Sequence, residues 1–293
     1  MRSKLFVPAS RPELFDKALA SEADALSFDL EDAVVENRKA AAREELVRFL
    51  ASEPARGSQK ILIVRINAMT TAHFEADIAA VATSGAHMIN LPMAMSGDDV
   101  RKAAAALDAL HIPAAQPLRL LVNIETPAAF RRSYEIASAH PSVAGLQLGL
   151  GDLFEPLGID RDNPAAVQQV QMALRLAAGE AGVDVFDGAY PDIADLDGFA
   201  REAQTARRLG FAGKSCIHPS QVETANAAFL PTGKEIAHAL AVEAAWREAK
   251  AQGKGAFTVD GRLVDGPLIT RALAVAELAR QLNLDKPIEE TFR

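Results

Sequence analysis

Residues 119–152 read RLLVNIETPAAFRRSYEIASAHPSVAGLQLGLGD, and this stretch decides the fold. The run Arg119–Ile124 is apolar and branched, ends on Glu125, and is followed by Thr126-Pro127, a pairing that opens helices. The spacing predicts a helix over Pro127–Ala139 and a further strand over Gly145–Leu150, closed by Gly151-Asp152. Strand, helix and strand at these lengths make a βαβ unit, which requires parallel strands.

The same unit recurs in both directions. Strands are predicted at Lys4–Val7, Ala25–Asp29, Ile61–Ile66, Met88–Leu91, Arg119–Ile124 and Gly145–Leu150, with fainter ones at Val183–Phe186 and Gly213–Ile217. Between them the pattern predicts helices at Pro12–Ala20, Asn37–Phe49, Ala72–Ser84, Gly97–Ala109, Pro127–Ala139, Pro164–Ala181 and Leu196–Leu209. Eight strand candidates favour a closed (β/α)₈ TIM barrel over an open doubly wound sheet. After the first strand, Val7-Pro8-Ala9-Ser10-Arg11-Pro12 has no glycine-rich phosphate loop, which argues against a nicotinamide cofactor. The barrel domain is predicted over residues 1–227 and a C-terminal helical extension over 228–293. That extension comprises a helix at Gly233–Ala251, a turn at Gly253-Lys254-Gly255, a hairpin-like piece at Ala256–Leu263 and a helix at Pro267–Leu282. It is expected to pack on a neighbouring subunit.

Composition narrows the function classes. The chain has 293 residues, 49% hydrophobic and 24% charged, which suits a large globular α/β body. Its single cysteine, Cys216, rules out an intrachain disulfide and any Cys-based zinc or iron–sulfur site. The start, Met1 to Pro8, lacks a secretory apolar region, and no run is long enough to span a bilayer, so a cytoplasmic protein without membrane partners is expected. A net charge of −8 with 5% aromatics argues against nucleic acid as a partner. An anionic ligand would therefore need local positive charge, from an arginine, a helix N-terminus or a bound cation.

In a parallel barrel the active site lies at the C-terminal ends of the strands. Four such ends carry polar groups: Asp29-Leu30-Glu31-Asp32, Arg65-Ile66-Asn67, Glu125-Thr126-Pro127 and Gly149-Leu150-Gly151-Asp152. Any one of these acids serves equally well as a cap on the helix that follows. Brought to one rim, they crowd carboxylates around one arginine and call for a cation. Oxygen donors without His or Cys suit Mg²⁺, which takes one or two carboxylates and completes its shell with water and substrate oxygens. Glu125 and Asp152 lie on consecutive predicted strands and form the candidate pair, while Arg65 would face a substrate carboxylate or carbonyl through its planar fork. His218, before Pro219, reads as a rim base or, with more weight, as a buried histidine tying a loop. Cys216 and Trp246 read as packing residues, and Asp260 and Asp265 as turn residues.

Taken in order, these motifs resemble the citrate lyase β-subunit-like (CitE-like, HpcH/HpaI aldolase) family, which includes malyl-CoA and citramalyl-CoA lyases. The resemblance spans nearly the whole chain. It is carried by Arg2 to Pro8, Ala23-Asp24-Ala25 with Asp29 to Val34, Val64 to Asn67, Ile124-Glu125-Thr126, and Gly149 with Asp152-Leu153. It continues through Asp195 to Phe199, Gly210 to Lys214, Ile217 to Val222 and Val264 to Leu268. The chain departs from the family pattern at Ala9, where Gly is usual, at Met93, where Lys is common, and at Gly151, where many relatives have Glu. The resemblance implies a TIM barrel, Mg²⁺ held by Glu125 and Asp152, and Arg65 as catalytic and substrate-binding residue, with Glu125 also facing substrate. It further implies Glu31 and Asp32 orienting Arg65 or metal-bound water from behind, and Asp265 contributed to a neighbour's site in a homotrimer or hexamer. The implied reaction is carbon–carbon cleavage of a β-hydroxy acyl thioester to an oxoacid and an acyl thioester. The alternatives are an aldolase acting on a free 4-hydroxy-2-oxoacid, or a citrate lyase-type subunit working only with an acyl-carrier protein.

Overall fold

In a computed structural model, the structure describes residues 1–110 and 117–284. Among them eight parallel strands close into a barrel in sequential order: β1 (Ser3–Pro8), β2 (Ala25–Asp29), β3 (Ile61–Arg65), β4 (Met88–Leu91), β5 (Arg119–Ile124), β6 (Val143–Leu148), β7 (Asp184–Asp187) and β8 (Gly213–Cys216). Alternation along the strands explains their two faces. Leu5, Val7, Leu26, Phe28, Val64, Ile89, Val122 and Leu146 join the large core shared with the helices. The intervening positions face the barrel's interior, where Ala25, Ile63, Leu121 and Phe186 form a separate small cluster.

Helix starts follow local chemistry. Thr126 accepts from Ala129 N at 3.1 Å with Pro127 at the first helical position, and Asp195 accepts from Gly198 N at 2.8 Å. The helix predicted as Pro127–Ala139 is instead two, Pro127–Arg131 and Ser133–Ala137. The Ser133 hydroxyl donates to Phe130 O at 2.7 Å, competing for a carbonyl the continuous helix would use. The strand expected to reach Leu150 stops at Leu148, because Leu150–Phe154 turns into a short helix.

The ring is sealed where the chain's first strand meets its last. Ser3, Lys4 and Leu5 pair with Lys214, Ser215 and Cys216. A side chain at Gly213 would lie 2.2 Å from Met1 O, so the close approach of these strands needs glycine there. Lys214 points outward, with Nζ donating to Asp187 at 2.6 Å, Gly188 O at 2.9 Å and Glu202 at 2.5 Å. These bonds tie β8 to β7 and to the helix Leu196–Arg208. Burial pushes the Cys216 thiol up to about 12, which leaves it an inert core group.

The chain divides into two compact units after Phe229. The second begins with the helix Gly233–Ala251, opened by a reciprocal capping box of Thr232 and Glu235. Strands β9 (Phe257–Val259) and β10 (Arg262–Val264) form a hairpin whose turn residues Asp260 and Gly261 both have positive φ, 50° and 73°. The helix Gly266–Gln281 packs Ile269, Ala272 and Ala276 against Ala239, Val242 and Val264, with Trp246 stacked on Phe257. Among the described residues no helix is long and apolar enough to cross a membrane.

Candidate active site

Register assembles the site. Asp29 pairs directly with Arg65 across β2 and β3, so both side chains enter the barrel mouth side by side. Asp29 receives Arg65 in a two-point contact, Nε to Oδ1 at 2.8 Å and the terminal nitrogen to Oδ2 at 2.6 Å. The other terminal nitrogen lies 3.0 Å from Glu31 and 3.1 Å from Asp32. Burial by itself would lower Arg65, but Asp29, Glu31 and Asp32 outweigh it and hold the guanidinium charged. Phe6 lies beneath, its ring centroid 5.3 Å from the guanidinium carbon.

The loop carrying Glu31 and Asp32 is anchored from outside. Lys39 Nζ donates to Leu30 O at 3.1 Å, Glu31 O at 2.9 Å and Asn67 at 2.5 Å. Burial, reinforced by Asp32, Glu125 and Asp29 and opposed by Arg65, pushes the Glu31 carboxyl up to about 8. Asp32 differs in being 71% exposed, so its contact with Arg65 is the one a ligand would displace most readily.

Glu125 follows the last residue of β5 and is buried. One oxygen accepts from Met93 N at 2.7 Å and the other from Asn123 Nδ2 at 2.8 Å. Met93 holds φ at 52°, a strained value for a residue with a side chain, and so directs its N–H at the carboxylate. Gly149 makes the space, since a Cβ there would lie 2.6 Å from Glu125 Cβ. Burial raises the Glu125 carboxyl above the usual range, and the charge of Asp152 adds to the rise. The charge of Asp152 thus disfavours the ionised form of Glu125, and as oxygen donors the two carboxylates suit a hard divalent cation.

Asp152 sits in the first turn of the helix Leu150–Phe154, not at a strand end as the sequence suggested. His218 is exposed rather than buried, although it does tie its loop, with Nδ1 2.8 Å from Ser220 Oγ. Asp265 lies in the second unit at the start of the helix Gly266–Gln281, and its side chain makes no capping hydrogen bond. Sequence reasoning missed Asp29 as the principal partner of Arg65, and also Asn123 and Lys4. Asn123 and Lys4 share a signal: each is a polar residue at an inward-facing position of a predicted strand.

Similar proteins place this arrangement in a family. Residues 2–219 match the family described as HpcH/HpaI aldolase/citrate lyase. A (3S)-malyl-CoA thioesterase from Cereibacter sphaeroides is 38% identical over 280 residues, covering 94% of each chain. The citrate lyase subunit beta of Escherichia coli K12 is 34% identical, covering 95% of this chain and 93% of its own. Among solved structures, the protein CitE of Mycobacterium tuberculosis in complex with magnesium, acetoacetate and coenzyme A superposes with a TM-score of 0.76 at 31% identity. That superposition covers 96% of this chain and all of the other. With its closed barrel and this degree of likeness along almost its whole length, the chain belongs to the HpcH/HpaI aldolase/citrate lyase family, whose members include carbon–carbon lyases.

Proposed function

We propose that this enzyme cleaves the carbon–carbon bond of a β-hydroxy acyl thioester, with Mg²⁺ held by Glu125 and Asp152. The observation that supports it most is the mouth of the barrel, where Asp29 holds Arg65 at two points and the buried Glu125 feels the charges of both Asp152 and Arg65. The donor set fits the ion. Among the described residues no group of three or more His, Cys, Asp or Glu is gathered to enclose a metal. Two carboxylates make the partial shell in which Mg²⁺ keeps water and substrate oxygens. Bound there, the ion supplies Lewis-acid polarisation of a hydroxyacid's oxygens.

The chain's own groups do the rest. Asp29 fixes the guanidinium plane of Arg65, and the remaining terminal nitrogen, on Glu31 and the exposed Asp32, binds a substrate carboxylate or thioester oxygen once Asp32 gives way. As the bond between the carbinol and the α-carbon breaks, the hydroxyl proton passes to solvent water and the carbinol becomes the oxoacid carbonyl. The bond's electron pair becomes a thioester enolate, whose oxygen charge Arg65 offsets. Protonation at the α-carbon then completes the acyl thioester. Glu31 and Asp32 hold Arg65 in register until substrate arrives.

Malyl-CoA and citramalyl-CoA, with Mg²⁺ and mass detection, test the reading against free 4-hydroxy-2-oxoacids. Acetyl-CoA with glyoxylate or pyruvate is the expected result. The likeness to a malyl-CoA thioesterase favours one second reading, hydrolysis, and free CoA with intact hydroxyacid would establish it instead. Turnover of the free oxoacids alone would overturn both.

The proton delivered to the α-carbon is assigned to Asp265 of a neighbouring copy in a homotrimer or hexamer, with the segment from Leu230 carrying it there. Its exposed carboxylate, uncommitted to the helix it precedes, supports this role. Glu125→Ala and Asp265→Ala oligomers should each be inactive, and co-refolding them should regenerate sites with both wild-type residues. Correctly assembled mixtures that stay inactive would show that each subunit works alone.

A further inference from the structure

Beneath the mouth, the barrel's interior is polar. Lys4, Ser27, Asn90, Asn123, Gln147 and Ser215 all sit at inward strand positions, and each is buried. Along β2 the inward residues run Ala25, Ser27, Asp29, and along β5 Leu121, Asn123, Glu125. The interior thus passes from an apolar floor through a polar middle to the charged mouth. Barrel interiors are ordinarily filled with branched apolar side chains, so this middle layer needs a reason.

Five atoms in that layer have no hydrogen-bond partner among the described residues: Lys4 Nζ, Ser27 Oγ, Asn90 Oδ1, Gln147 Oε1 and Ser215 Oγ. Buried polar atoms are almost always satisfied, and a cluster of them is where proteins keep internal water. Lys4 is the extreme case. Lys214, one strand away and facing the other side, has three oxygen partners, whereas among the described residues the Lys4 ammonium has no hydrogen-bond partner and sits over the face of Phe6, 4.4 Å away. Burial, with Arg65 adding to it, pushes Lys4 down to about 7.

The layer is wired to the mouth. Asn90 Nδ2 donates to Asn123 Oδ1 at 2.6 Å, and Asn123 Nδ2 donates to Glu125 at 2.8 Å. Asn90 Nδ2 also donates to Leu121 O at 3.0 Å, so the relay is pinned from one side, and among the described residues its open end is Asn90 Oδ1, on the polar layer. A donor on that oxygen adds the second hold on both amides, and through them on the carboxylate of Glu125.

We propose that Lys4 is a positioning residue, which through ordered water in a buried chamber locks the Asn90–Asn123–Glu125 relay. Its kinetic consequence rests on the reading of Glu125 given above, while the chamber itself does not. The ligand class is water, held between one ammonium, two hydroxyls and two amide oxygens. The arrangement keeps Glu125 oriented while the mouth binds and releases anions.

A near-atomic crystal structure of the full-length protein should show ordered waters in the chamber, each bonded to at least two of these five atoms, with one on Asn90 Oδ1. A dry interior, with Ser27 or Ser215 turned directly onto Lys4, would overturn the proposal. Lys4→Met should remain folded, since removing a buried unpaired charge seldom costs stability. Its kcat should fall about tenfold with KM within about twofold, the size expected for loss of a group supporting a ligand. Ser27→Ala with Ser215→Ala leaves the charge and removes two water partners; it should lower kcat in the same direction and carries the kinetic test if Lys4→Met does not fold. A folded variant with wild-type kcat would refute the positioning role. An active Glu125→Gln would instead refute the reading of Glu125 and leave the crystallographic result standing.

Discussion

Glu125→Gln should leave a folded barrel with kcat reduced at least on the order of 10³-fold. Groups that merely support a metal ligand cost about 10- to 100-fold when removed, so loss of a ligand should cost more. The substitution is nearly isosteric, and Gln still accepts from Met93 N or Asn123 through its carbonyl, so the site's shape persists while one negative charge is lost. Chelation of wild-type protein should produce the same loss, reversed by Mg²⁺ or Mn²⁺. Full activity of a Glu125→Ala, Asp152→Ala double variant in chelator would overturn the assignment.

Arg65→Lys should be almost as damaging as Arg65→Ala, each lowering kcat/KM on the order of 10²-fold, the size of one lost preorganised donor. Asp29 is the reason. It grips one edge of the guanidinium at two points, and a lysine offers one point where the fork offers two, so the placement of the third nitrogen beside Glu31 and Asp32 is lost with the plane. Steady-state kinetics with the thioester substrate check this directly. A lysine variant matching the wild type would show that charge alone suffices.

The barrel was legible because most strands are short apolar runs rich in branched residues, several of them closed by a polar residue, and because period and length distinguish such runs from helices. The boundaries that failed did so where side-chain chemistry overrode period. The Ser133 hydroxyl breaks a helix whose apolar pattern runs on, and Leu150–Phe154 coils although Leu148 and Leu150 alternate as a strand would. The candidate site was legible in its members and illegible in its pairings. Asp29 and Arg65 stand 36 residues apart, and only the register of β2 against β3 reveals them as partners. Lys4 stands out as a polar residue in a predicted strand, yet polarity alone does not separate a lysine that leaves the barrel from one that fills it. The side-chain period is two, so a single-residue shift in register exchanges those fates.

The seam between β1 and β8 sets a clock on biogenesis. β1 is made before the other seven barrel strands, yet its second neighbour ends at Cys216, so the ring stays open until the chain from β1 to Cys216 has been made. At ordinary elongation rates that interval is roughly 10–40 s. Throughout it, β1 presents one unpaired edge, the kind of surface that invites association between nascent chains. Gly213 beneath the Met1 carbonyl, the Ser3 hydroxyl on Asn226 and the Lys214 cluster all act only at the end of that wait. Substitutions there should reduce the yield of soluble protein well before they alter the finished enzyme.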